Sequence, residues 1–191
     1  MKIGIYSGSF NPIHIGHLAL ANYIVEFTDL DEVWLLLSPQ NPLKEGDDLA
    51  SEHQRLEMVK LAVEGYRGIK ACEFELTLPR PSYTITTLQS LRKMYPEYEF
   101  SLIMGADNWS VIEKWKDYTS IIEDFAIKIY PRLGDNIIIP KRFREKVEVI
   151  DSPIMEISST FIRESIAENK CIKAFLPEKV HQYIIANELY K

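Results

Sequence analysis

Short, mostly apolar runs alternate along this chain with longer stretches of helical period. That alternation is what most narrows the folds open to it. The runs are KIGIY (2–6), VWLLLS (33–38), KACEFEL (70–76), EFSLIMG (99–105) and DFAIKIY (124–130), with a last alternating piece at Val147 to Ile150. Between them, helical spacing predicts helices from His17 onward, over 51–65 and over 83–95, a helical stretch between 105 and 124, and two closing helices at 158–168 and 177–190. The second helix opens on a serine cap at Ser51 and closes on Gly65. Strands without an alternating polar face are buried on both sides, and helix-long connections join parallel strands, not hairpins. The expected fold class is therefore α/β, a doubly wound, mostly parallel Rossmann-like sheet with a small C-terminal helical part, all within one domain spanning 1–191. Ligands of such sheets sit beyond the carboxyl ends of the strands. GSFNPIHIGH (8–17) and Gly105–Trp109 both fall there.

With 191 residues, 46% of them hydrophobic, the chain is long enough to bury a proper core. Its net charge of -6 argues against non-specific binding to nucleic acid or a membrane surface, so any anion must be met by local positive potential. The opening residues lack the apolar core and cleavage site of a secretory signal, and no run approaches the ~18 apolar residues of a membrane span. Cys72 and Cys171 are far apart and fit reduced thiols in a cytoplasmic setting. KRFREK (141–146) lies in the least regular stretch and reads as a solvated helix face interrupted by Glu145.

The decapeptide concentrates unusual residues. Gly8 follows a strand, where a missing Cβ lets backbone N–H groups approach a ligand, and Gly16 does the same at a helix start, where the helix dipole favours an anion. His14 and His17, three apart, project to one side. Together these features describe a phosphate site that is not a Walker loop, since Gly-Lys-Ser/Thr is absent. Two histidines at this spacing also suit half of a zinc site, but His53 and His181 bring no matching carboxylates, and no protein metal site is expected.

GSFNPIHIGH resembles the G-x-F-x-P-x-H-x-G-H signature of the nucleotidylyltransferase superfamily, and ISSTFIR (157–163) resembles its second signature, I-S-S-T-x-I-R at a helix start. With SPQNPLK (38–44), PSYTITTL (81–88) and GADNWSVIEKW (105–115) between them, the ordered set resembles the bacterial nicotinate-nucleotide adenylyltransferases over nearly the whole chain. Asn11, Leu43 and Thr86 depart from the residues common there, Asp, His and Asp. The resemblance implies attack by the 5′-phosphate of nicotinate mononucleotide on the α-phosphorus of ATP, giving deamido-NAD and pyrophosphate. A phosphate monoester with a second pKa near ~6 is already largely ionised, so no general base is needed. His14 and His17 would donate to the ATP phosphates, with His17 the stronger catalytic candidate, and Arg163 would hold the β- and γ-phosphates. Gly8, Ser9, Phe10, Gly105, Asp107, Ile157, Ser158, Ser159 and Thr160 would complete the ATP site. Helix capping is the alternative role for Asp107 and for the serines. Lys44, Tyr83, Thr84, Trp115 and Lys116 would bind the pyridine nucleotide, and Trp109 would pack in the core. Mg²⁺ would arrive on ATP, mostly with water ligands. The oligomeric state stays open, a homo-oligomer included. Competing readings are a related enzyme acting on nicotinamide mononucleotide or phosphopantetheine, a histidine-based metallohydrolase, and a nucleotide-sensing module without catalysis.

Overall fold

A computed structural model describes residues 1–39, 49–134 and 136–191. Six strands, β1 (Lys2–Gly8), β2 (Glu32–Leu37), β3 (Ile69–Cys72), β4 (Glu99–Gly105), β5 (Ala126–Tyr130) and β6 (Val147–Val149), form one sheet in the order β3-β2-β1-β4-β5-β6. Every pairing is parallel. The helices are α1 (Ile15–Phe27), α2 (Glu52–Val63), α3 (Thr84–Met94), the single turn α4 (Ala106–Trp109), α5 (Tyr118–Asp124), α6 (Ser159–Ala167) and α7 (Glu178–Ala186).

Side chains alternate across the sheet and feed two cores. Tyr6, Val33, Leu35, Leu37 and Ile103 face one side, where Leu18, Ile24, Met58, Ile162 and Val180 of α1, α2, α6 and α7 cover them. Ile3, Ile5, Leu36, Leu102, Ile127 and Ile129 face the other, under Leu88 and Leu91 of α3 and Ile121 and Ile122 of α5. The doubly wound arrangement expected from the alternation is the one observed. Strand order reverses between β1 and β4, and their carboxyl ends form the switch point where ligands bind in folds of this order.

Local signals hold at α2, where the Ser51 hydroxyl accepts from Gln54 N at 3.2 Å and the Gln54 side-chain Oε1 accepts from Ser51 N at 3.0 Å. Trp109 is buried and donates from Nε1 to the Ile138 carbonyl at 3.0 Å, as a core tryptophan should. Three expectations need correction. The third strand ends at Cys72, and Phe74–Thr77 is a 3₁₀ turn, closed by Thr77 Oγ1 donating to the Phe74 carbonyl at 2.7 Å and turning Glu75 inward. The run at 124–130 begins inside a helix, since Asp124 ends α5 and the strand starts at Ala126. KRFREK carries only one 3₁₀ turn, Lys141–Phe143, whose Phe143 is buried while the charged residues stay in solvent.

Candidate active site at the β1–β4 switch point

From β1 the chain turns at Gly8, where a Cβ would lie 3.0 Å from the Phe10 ring, and passes Phe10 in a left-handed conformation (φ 44°). Phe10 is buried and meets the His17 ring edge-on at 5.1 Å between centroids. His14 then caps α1 and His17 lies in its first turn, with the two imidazoles stacked at 3.7 Å. The shared side predicted from their spacing is thus a face-to-face pair. His14 N donates to His17 Nδ1 at 3.3 Å, which places the His17 ring proton on Nε2 and makes that nitrogen a donor. Burial, helped by the Arg132 charge, lowers the His14 pKa to about 4, so His14 is neutral at physiological pH. Its Nδ1 is enclosed without a hydrogen-bond partner.

Gly105 ends β4, the neighbouring strand. A Cβ there would collide with the Asp107 carboxylate and come within 3.0 Å of Arg132 Nε, so a larger residue would push aside the side chains folded back over it. Asp107 Oδ1 pairs with Arg132 Nε at 3.2 Å, and Arg132 Nη2 donates to the Tyr130 hydroxyl at 3.4 Å. Tyr130 packs edge-on against buried Tyr6 at 5.8 Å.

The second signature closes the site from the far end of the chain. Ser158 caps α6, its hydroxyl accepting from Phe161 N at 3.1 Å, so the capping role is realised. Ser159 Oγ donates to the Pro12 carbonyl at 2.9 Å and Arg163 Nη1 to the Asn11 carbonyl at 3.0 Å, tying α6 to the loop before α1. Ile157 sits 3.6 Å from where a Gly16 Cβ would be, while Thr160 is exposed. The N-termini of α1 and α6 therefore meet beside Arg163, giving a chain of net charge -6 a local positive site.

The Ser9 carbonyl is one of four backbone acceptors gathered by Arg55, which is 1% exposed. Its Nη1 donates to Ser9 O at 2.7 Å and Ser38 O at 2.9 Å, Nη2 to Pro39 O at 2.7 Å, and Nε to Ala50 O at 3.0 Å. Asn11, also buried, accepts at Oδ1 from Ala50 N at 3.1 Å and from the Tyr190 hydroxyl at 2.8 Å. Sequence reasoning missed Arg55, Arg132 and Tyr190. Arg55 had a signal, because it shares the apolar face of α2 with Val59 and Ala62; Arg132 also had one, following a strand end just as the decapeptide does. Nothing in the sequence ties Tyr190 to Asn11.

On the other side of the sheet, Tyr83 precedes α3, Thr84 is its first residue, and Lys116 Nζ lies 4.3 Å above the Tyr83 ring. Tyr83 and Lys116 are thus brought together, and Trp115, half-buried, packs on the same core as α3. Lys44 and Leu43 lie outside the described residues.

Glycine turn, stacked histidines and paired helix N-termini at a parallel-sheet switch point define a nucleotidyltransferase of Rossmann-like build. The cytidylyltransferase-like family model matches residues 5–165. A Flavobacterium johnsoniae protein is 50% identical over the full length of both chains, and a Bacteroides fragilis protein is 52% identical over 96% of this chain and 91% of its own; both bear the name "probable nicotinate-nucleotide adenylyltransferase". The solved Plasmodium falciparum nicotinic acid mononucleotide adenylyltransferase, complexed with NaAD, shares the fold with a TM-score of 0.80 over 99% of this chain and 97% of that one, at 23% identity. The chain belongs to the cytidylyltransferase-like family and, within it, to the nicotinate-nucleotide adenylyltransferases.

Proposed function

We propose that this adenylyltransferase joins the adenylyl group of ATP to nicotinate mononucleotide, releasing pyrophosphate in cytoplasmic NAD biosynthesis, and that it does so by alignment and charge neutralisation alone. The acceptor phosphate is ionised already, which leaves no proton for a base to remove. Preorganised donors aimed where charge accumulates on the α-phosphate and the departing pyrophosphate then carry the rate. His17 Nε2 and the N-terminus of α1 serve the α-phosphate, with neutral His14 stacked beneath. Arg163, Ser158, Ser159 and Thr160 at the start of α6 receive the β- and γ-phosphates. Gly8, Ser9, Phe10 and Ile157 shape the pocket wall, and Gly105 with Asp107 receives the nucleoside, Asp107 accepting from ribose hydroxyls. Arg132 adds a further cation. The observation that carries the reading is the convergence of the stacked histidines and Arg163 on two helix N-termini.

Among the described residues no group of three or more His, Cys, Asp or Glu converges to hold a metal, and Asp107 is paired with Arg132. Mg²⁺ therefore fits as part of the incoming ATP complex, held by phosphates and water, where it would neutralise phosphate charge.

Selection of the acid over the amide belongs to α3. Its cap residue Tyr83 supplies no side-chain hydrogen bond, so the first N–H groups, Thr84's among them, are left as donors. With Lys116 beside Tyr83 and backbone N–H groups after Trp115, the pocket accepts both oxygens of a carboxylate; Lys44 would add charge toward a substrate phosphate. Pyrophosphate release from ATP with each acceptor tests the assignment. Release should require nicotinate mononucleotide, with phosphopantetheine inactive. ATP binding without release would instead support a sensing module.

A further inference from the structure

Among the described residues, Glu75 is the only buried carboxylate, 6% exposed, in the 3₁₀ turn where the sequence predicts a strand. Its Oε1 accepts from Ser82 Oγ at 2.9 Å and from Thr87 Oγ1 at 3.5 Å, the latter hydroxyl shared with the Tyr83 carbonyl at 3.2 Å. Its Oε2 has no hydrogen-bond partner. Glu75 also lines, with Ser7, Thr84 and Thr87, a cavity of about 10 Å³, near the size of one water site. Burial pushes its pKa up, opposed by the Ser82 and Thr87 hydroxyls and, more weakly, by Ser38. An apolar residue would fill this space without that cost, so the carboxylate must do something an apolar residue cannot. What it holds is specific. Ser82 is the last residue before Tyr83, and Thr87 lies one turn into α3, so one oxygen holds Ser82 closely and meets the Thr87 hydroxyl at a longer distance on the other side of the helix start.

We propose that Glu75 is a positioning residue for the pyridine-nucleotide pocket, fixing through Ser82 and Thr87 the direction of the N–H groups at Thr84 that receive the substrate's carboxylate. This rests on the functional reading above. Glu75 does not touch the substrate. It acts through α3, on the acid-recognising side of the site, while the phosphate-binding loop is held mainly by Arg55, by Arg163 and by the Asn11 side chain. A small misalignment of preorganised donors is enough to lose discrimination.

The test is steady-state kinetics of the wild type, Glu75→Ala and Glu75→Gln with ATP, nicotinate mononucleotide and its amide, alongside thermal midpoints. Glu75→Ala should raise KM for nicotinate mononucleotide about ten-fold or more, lower the acid-over-amide ratio of kcat/KM by a similar factor, and leave KM for ATP within about two-fold. Glu75→Gln keeps an acceptor for Ser82 and Thr87 and should recover most of the loss. Equal increases in both KM values, or an unchanged acid-over-amide ratio, would overturn the proposal and leave Glu75 a core residue. If Glu75→Ala does not fold, Ser82→Ala and Thr87→Val decide: the same one-sided split at smaller amplitude supports the proposal, and its absence rejects it. A wild type that does not turn over nicotinate mononucleotide would contradict the functional reading itself, an outcome distinct from any effect of the variants.

Discussion

At the scale of single residues, the two histidines are set apart by their environments. His17 takes its tautomer from the His14 backbone N–H and presents Nε2–H, a donor whose loss should cost the transition state more than the ground state. His17→Ala is expected to lower kcat by about two orders of magnitude or more while ATP binding weakens far less. Stopped-flow or steady-state turnover checks this, and near-normal kcat would remove His17 from the chemistry. His14 contributes through protonation. Its folded pKa of about 4 lies below the unfolded value near 6.5, so between those pH values the unfolded state binds the proton first. Stability is therefore full above about pH 6.5 and falls as the pH drops toward 4, by order 1–3 kcal/mol. His14→Gln should lack that part of the slope when thermal midpoints are followed across the window. An identical slope in the variant would place the titration elsewhere. The spacing of the pair was legible in the sequence, but the stacking and the lowered pKa were not, because the stacking depends on how the turn folds around Phe10 and the pKa on burial and on Arg132 arriving from another segment.

At the scale of elements, the carboxyl ends of strands are organised by side chains that sequence pattern treats as ordinary. Arg55 satisfies carbonyls from three stretches of chain at the mouth of β1 and β2. Arg55→Met should destabilise the protein by about 3–5 kcal/mol, because buried acceptors lose their donors. Arg55→Lys should recover little, since an ammonium cannot reproduce the planar fork. Denaturant unfolding measures both, and full rescue by lysine would show that charge alone matters there. Arg163→Lys is expected to lower kcat/KM for ATP with little change in thermal midpoint; parallel losses would make the Asn11 contact its main role. Element boundaries were least legible where a buried polar group overrides apolar pattern. KACEFEL reads as a strand, but its end turns inward because Glu75 finds hydroxyls on the α3 side. Ser158 illustrates the converse, a residue whose capping role was readable from local sequence and is observed.

At the scale of the whole molecule, the parallel order was legible because its cause is distributed: every buried strand is followed by a helix-length connection, and no single contact decides the topology. The meeting of the first and second signatures could be expected only by resemblance, since residues 11 and 163 are joined by tertiary hydrogen bonds. Electrostatics also separates the two ends of the sheet. Away from the site, Asp29 pairs with Lys128 at 2.7 Å and Lys2 at 2.7 Å, and these partners, Lys128 first, hold its pKa down to about 2. That contribution is present above about pH 4 and is lost as the pH falls toward 2, below the window of His14. One end of the sheet in this acidic chain is proposed as a site of N–H donors that aligns phosphates and selects a carboxylate. The most direct test is the ratio of kcat/KM for nicotinate mononucleotide over its amide at saturating ATP. An amide set against a pocket of donors leaves one buried donor unpaired, and such mismatches reach several orders of magnitude in discrimination. A ratio of at least about a hundred is the predicted result; comparable values for acid and amide would contradict the donor pocket.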